Sequence, residues 1–287
     1  MSSSSPEQSG NQGETVELTK HEDEEAERRT QLRAAVVFES IRREGETELQ
    51  RPVVALAFSG LASGFSMGLS LVATGLIRAM LPPSTWRPLV ENVGYTLGFL
   101  VVTLGRQQLF TENTVTAILP LLDDPNKAQK FVKVVRLWSV VLAANWIGAL
   151  AFAFAIAHSG AFSPGANDAF LALGKETLSY DFWTVLVKGV FAGWLIALMV
   201  WLLPSAENTR VSVIMLVTYV VGLGGLSHVI AGSVDAFYAG FSGAATWTHI
   251  ARDFLLPVFL GNAIGGVLLV SLLNYAQVAV KGDEETA

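Results

Sequence analysis

The chain has 287 residues, 51% of them hydrophobic and only 15% charged, with a mean hydropathy of +0.45 and a formal net charge of −6. A soluble domain carries about 25% charged residues, so this composition argues against a soluble globular enzyme. No basic excess points to nucleic acid, and the absence of cysteine excludes disulfides, thiolate catalysis and cysteine metal sites. The charge is also uneven. The first 52 residues hold 12 acidic and 7 basic side chains, whereas residues 53–280 hold only 10 and 11.

Residues 1–19 are rich in Ser, Gly, Gln and Glu and have no apolar run, which reads as disorder. They lack the basic start and apolar core of a signal peptide. From Glu22 to Leu49 the charges alternate in sign. Ala34, Val37, Phe38 and Ile41 recur there at helical spacing, which predicts a short amphipathic helix. Such a helix either lies on a membrane, packs under a neighbour or serves as a solvated linker. The chain is thus expected to divide into a polar tail (1–51), a membrane domain (52–280) and a short cytoplasmic tail (281–287).

Four charge-free runs are long enough to cross ~30 Å of hydrocarbon. They are Pro52 to Ile77, Leu137 to Asn167, Gly189 to Ala206 and Phe254 to Val280. Two more segments are apolar but interrupted. One runs from Asn92 to Leu122 and is broken around Gly105 to Asn113; the other runs from Val211 to about Gly240 and is broken around Gly222 to His228. Non-helical backbone at membrane depth is tolerated only where protein or a water-filled cavity satisfies it. Six spans with the second and fifth broken divide into two three-span halves. An odd number of spans per half inverts one half relative to the other, and paired breaks in such repeats point to a permeation site. Two independently kinked helices are the alternative. With the N-terminus inside, Lys and Arg flank the inner side more heavily than the outer, nine against four, which favours both termini in the cytoplasm.

Leu109-Phe110-Thr111-Glu112-Asn113-Thr114 resembles the Leu-Phe-Thr loop of the formate/nitrite transporter family. Gly225-Leu226-Ser227-His228-Val229-Ile230-Ala231 resembles its broken fifth helix with a central His. Gly261-Asn262-Ala263-Ile264-Gly265-Gly266 resembles the start of its sixth helix, and Phe182-Trp183 through Lys188-Gly189 to Trp201 its fourth. Order and spacing agree over residues ~35–280. The resemblance implies an all-α, aquaporin-like fold of two inverted three-helix repeats, a homopentamer with one pore per protomer, and passage of small monovalent anions such as formate or nitrite. It is to a divergent inner-membrane branch, so a bacterial inner membrane is expected. Three positions depart from the family pattern: Gln108 and Ser227 stand where Glu is usual, and Gly232 where Asn is usual. Arg106, Glu112 and Asp235 are charges that the pattern does not supply.

His228 sits at the second break, and an ionisable group at membrane depth is a functional hypothesis by default. Histidine titrates near ~6.5 in water, so His228 is read as a donor of a hydrogen bond or a proton to a passing weak acid. The bland alternative is a neutral ring satisfied by freed backbone. Thr111 is read as a donor to the anion or to His228, or as a helix cap. Lys188 is read as an electropositive group near the outer side, or as a snorkelling side chain. Leu109, Phe110 and Asn113 complete the expected pore lining. Arg106 and Glu112, six residues apart, are read as a gate or a structural ion pair, with Asp235 as a further charge. The leading function is a channel or proton-linked carrier for small monovalent anions or their neutral acids, with no cofactor. The alternatives are an aquaporin-like pore for neutral solutes or water, and a non-conducting scaffold or sensor. No His-Glu-x-x-His, Gly-x-Ser-x-Gly or paired membrane carboxylates suggest an enzyme.

Overall fold

A computed structural model describes residues 19–20 and 34–272, without the side chains of 269–272. The tail reading for 1–18, the expected cytoplasmic tail 281–287 and the end of the sixth span lie outside the described residues. All regular structure among the described residues is helical.

Helix α1 (Ala34–Gln50) buries Val37, Phe38, Ile41 and Leu49 on one face. On its other face Glu39 accepts from Arg42 and Arg43. Those hydrogen bonds, Arg42 first, pull the Glu39 carboxyl down to about 2. Pro52 precedes α2 (Val53–Met80), a 28-residue helix charged only at Arg78 in its last turn. Helix α3 (Arg87–Leu104) opens with Pro88 in its first turn and stops at Gly105. After a non-helical gap come two short helices, α4 (Phe110–Thr116) and α5 (Ile118–Asp123).

Helix α6 (Lys127–His158) starts ten residues before the charge-free run. Its early charges are paired, which lets the helix continue past the apolar stretch. Lys130 binds Glu46 at 2.7 Å and Asp124 at 2.9 Å, and Arg136 donates to the Leu49 carbonyl. The connection between α6 and the next long helix contains a further helix, α7 (Pro164–Thr177), capped by Ser163. Helix α8 (Phe182–Leu202) starts at Asp181, whose carboxylate accepts from the Trp183 and Thr184 amides. The Thr184 backbone and hydroxyl lower the Asp181 carboxyl.

Helix α9 (Arg210–Leu223) ends at the second gap, and α10 (Ala231–Phe241) follows it. The last helical segment runs from Trp247 to Leu272. It comprises α11 (Trp247–His249), a π-helical turn (Ile250–Leu255), α12 (Leu256–Ile264) and a second π-helical stretch (Gly265–Leu272). Pro257 cannot donate to the carbonyl four residues earlier, which accounts for the wide turn before it.

Among the described residues, four helical segments are long and apolar enough to cross a membrane: Val53–Met80, Lys127–His158, Phe182–Ser205 and Trp247–Leu268. Their contacts are built on glycine. A Cβ on Gly64 would lie 2.0 Å from the Asn145 carbonyl oxygen, and one on Gly193 would lie 2.3 Å from the Asn262 carbonyl oxygen. Small residues of this kind let helix backbones approach closely in lipid. The outward faces are apolar, with Phe58, Val132, Phe154, Trp183 and Leu216 all more than half exposed.

Candidate functional site: two helix breaks between two cavities

Both breaks end their helix in the same way. After α3, the Gly105 amide donates to the Val101 carbonyl, Arg106 to Thr103 and Gln107 to Val102. After α9, Gly224 donates to Val220, Gly225 to Gly222 and Leu226 to Val221. The turn residue takes a left-handed φ in each case, 51° at Arg106 and 55° at Gly225. The second break has the residue suited to that conformation; the first holds an arginine in it, at a cost of about 1 kcal/mol or more.

The freed backbone is satisfied by one asparagine per break. Asn145 of α6 accepts from the Phe110 amide at 3.0 Å and donates to the Gly60 and Gln108 carbonyls, both at 2.8 Å. Asn262 of α12 accepts from the Val229 amide at 2.9 Å and donates to the Gly189 and Ser227 carbonyls, both at 2.9 Å. Both side chains are fully buried. Sequence reasoning gave neither asparagine a role. The available signal was Asn145 itself, a strong hydrogen-bonding group nine residues into a 31-residue charge-free run.

The breaks meet at His228 and Thr111. His228 Nε2 and Thr111 Oγ1 stand 2.9 Å apart, and both residues are buried. His228 Nδ1 accepts from the Ile230 and Ala231 amides, each at 3.2 Å, at the start of α10. An Nδ1 that accepts two amides carries no proton, so the ring hydrogen is on Nε2 and points to Thr111. The Phe99 ring meets the His228 ring edge-on at 4.9 Å. Leu109 and Phe110 are buried beside them, Phe110 against Trp138 and Phe259.

A cavity opens on each side of this layer. One, of about 250 Å³, lies at the Arg87 end of α3 and reaches Thr74, Thr177, Asp235, Ser227 and His228. The other, of about 680 Å³, lies at the Leu104 end and reaches Arg106, Gln108, Glu112, Asn113 and Thr116. Phe99, Leu109, Phe110 and Thr111 border neither.

The remaining candidates are placed as follows. Lys188 donates to the Gly225 carbonyl at 2.9 Å and lies 3.8 Å over the Tyr180 ring, with no carboxylate against it. Gln108 accepts from Asn113, whose carbonyl accepts from the Trp138 indole. Arg106 pairs with Glu44 of α1 at 2.8 Å on an exposed surface, while Glu112 accepts from Thr103 at 2.7 Å. The ion pair considered between Arg106 and Glu112 is therefore not the one formed. Asp235 accepts from Thr177 at 3.3 Å. At Gly232 a side chain would meet the Phe254 ring at 2.6 Å, so that ring occupies the space an asparagine would need. Phe65 is half exposed and lies away from this layer, its ring edge-on to Phe152.

An all-helical membrane body, with two broken helices meeting at a buried polar pair between opposed cavities, defines a channel-type membrane protein. The family model for the formate/nitrite transporter matches residues 35–276. The chain is 39% identical over 252 residues to the inner membrane protein YfdC of Escherichia coli, covering 88% of this chain and 81% of that one. It is 25% identical to the formate channel BtFdhC of Bacillus thuringiensis, covering 81% and 90%. Among solved structures, a pentameric formate channel with formate bound matches with a TM-score of 0.65 at 20% identity, covering 83% of this chain and 99% of that one. A second, an FNT family ion channel, matches at 0.71 and 20%, covering 85% and 98%. The chain belongs to the formate/nitrite transporter family, a family of membrane channels and transporters.

Proposed function

We propose that the protein passes small monovalent anions of the formate or nitrite type, crossing its narrowest layer as neutral acids. The observation that carries this reading is the Thr111–His228 pair buried between two cavities. Phe99, Leu109 and Phe110 make that layer apolar, and taking a bare ion into it is costly. A neutral acid has no such penalty. It finds the Thr111 hydroxyl hydrogen as a donor, because Thr111 Oγ1 is already occupied as the acceptor of His228 Nε2–H. His228 acts here as a fixed hydrogen-bond donor. The nitrogen that would take up a further proton already accepts two backbone amides, and protonating it would cost both bonds. Lys188, anchored at the second break, draws anions toward the cavity that contains Asp235.

The matched turns, the matched asparagines and the matched glycine contacts support a fold of two inverted three-helix repeats. In this reading, with both termini cytoplasmic, the Asp235 cavity faces outside and the Glu112 cavity inside. The apolar outward faces and the pentameric relative support a homopentamer with one pore per protomer. The Escherichia coli relative supports a bacterial inner membrane.

Liposome flux tests the function. Reconstituted protein should release formate and nitrite and retain glycerol; glycerol release alone, or no release, defeats the reading. Cysteine labelling tests the orientation. Ser163→Cys should react only from outside and Ser205→Cys only from inside, and the reverse pattern defeats it.

A further inference from the structure

We infer that Asp235, with Thr177 and Thr74, forms an outer subsite that hands a proton to the entering carboxylate and holds the resulting neutral acid. This deepens the function proposed above and rests on it.

The geometry is that of a built site. Asp235, Thr177 and Thr74 line the same cavity as His228. The Asp235 carboxylate accepts from the Thr177 hydroxyl at 3.3 Å. Thr74 is 4% exposed, and its hydroxyl has no hydrogen-bond partner among the described residues. A buried unpaired hydroxyl is unfavourable, and it gains a partner when an oxygen-bearing solute enters the cavity.

The other ionisable groups facing this cavity are Arg78, Glu91, Tyr95, Glu176, Tyr180 and His228. The last helical segment contributes only Phe254, and α6 contributes none. Arg78 is committed to Glu91 at 2.6 Å and Glu176 at 2.8 Å, and Glu91 also meets Arg87 at 3.3 Å. These cations and carboxylates satisfy one another. His228 is bonded on both ring nitrogens. Asp235 is left as the cavity's carboxyl group without a cation against it.

The step balances without a co-reactant beyond water. The O–H bond of protonated Asp235 breaks and a new O–H bond forms on the carboxylate of the entering anion. Asp235 is left as a carboxylate, hydrogen-bonded by Thr177, and is reprotonated by hydronium from the outer solution. Thr74 donates to the carbonyl oxygen of the neutral acid, which then moves on to Thr111.

The test uses the full chain in liposomes, with labelled formate uptake and internal pH read at external pH from about 5 to 8. Wild-type uptake should rise as external pH falls. Asp235→Asn, nearly isosteric, should keep the oligomer and its thermal midpoint but lose the pH-dependent part of uptake, at least tenfold at the acid end by the usual size of an acid–base contribution (~10²-fold or more). Asp235→Glu should restore the pH response. Thr177→Val removes a donor to the ionised carboxylate, so the midpoint of the uptake profile should move to higher pH. Thr74→Val should raise the half-saturating formate concentration and leave that midpoint in place. A wild-type profile in Asp235→Asn overturns the proton hand-off while leaving the channel reading intact. If Asp235→Asn fails to assemble, an unmoved midpoint in Thr177→Val overturns it equally. Wild-type liposomes that pass no formate defeat the proposed function first, and this inference with it.

Discussion

The two breaks solve one backbone problem with different surface chemistry. Each needs a left-handed turn residue, an asparagine to satisfy freed amides and carbonyls, and a glycine against that asparagine's backbone. The second break meets the first need with Gly225, and Lys188 sits on its carbonyl. The first holds Arg106 in the same conformation, and Arg106 reaches out to Glu44 of α1. What is common to both breaks is what membrane depth demands of the backbone. What differs lies on the surfaces beside each break, where Lys188 and α1 respectively sit.

The asparagines test the common part most severely. Asn145→Leu and Asn262→Leu each strand two carbonyls and an amide away from water, which should cost on the order of 3 kcal/mol or more. Both variants should lose most of their monodisperse protein in size-exclusion chromatography. A large loss in one and none in the other would end the equivalence of the breaks. Gly64→Ala and Gly193→Ala come next. The added methyl collides with backbone, so each should lower stability by about 2 kcal/mol, read as a fall in thermal midpoint.

The turn residues should separate the breaks by sign. Gly225→Ala forces a side chain into the left-handed region and should destabilise by about 1 kcal/mol. Arg106→Gly relieves the same strain and loses only an exposed pair worth about 0.5 kcal/mol, so it should be neutral or stabilising. Equal losses in both would mean that Arg106 is held by more than its φ.

The smallest effect concerns α1, which touches only the first break. The Glu39 carboxyl is held down to about 2 from an ordinary 4.5. A lowered value means that its contribution is complete above about pH 4.5 and disappears as pH falls toward 2. Glu39 is 36% exposed, so screening leaves only a few tenths of a kcal/mol. Amide exchange in detergent should show α1 fraying over that window while α9 and α10 stay protected. Uniform protection would separate α1 from the Glu39 pairings.

Hydropathy made the membrane body legible because lipid demands long apolar runs. The boundaries were less so. Lys130 and Arg136 are helical because Glu46, Asp124 and the Leu49 carbonyl receive them, and Glu46 and Leu49 lie more than 80 residues away in sequence. The α7 helix carries Asp168, Lys175 and Glu176 and has too few apolar residues to announce itself. His228 and Thr111 were readable as breaks in apolar pattern, and their 2.9 Å approach required the fold. Lys188 was readable as a lone charge in an apolar helix, yet the backbone carbonyl and the ring that hold it form an arrangement no residue spacing encodes.

Pro120 has no amide hydrogen, so the Thr116 carbonyl four residues earlier loses its helical donor at the end of α4. Gly45 of α1 lies on that oxygen so closely that a Cβ there would sit 1.8 Å from it. So close an approach of the two backbones is available only to a residue without a side chain. It keys the helix following the polar tail to the half-helix that carries Thr111. A side chain at position 45 would therefore force α1 away from the end of the half-helix that Thr111 begins, against the pull of the Glu44–Arg106 and Glu46–Lys130 pairs.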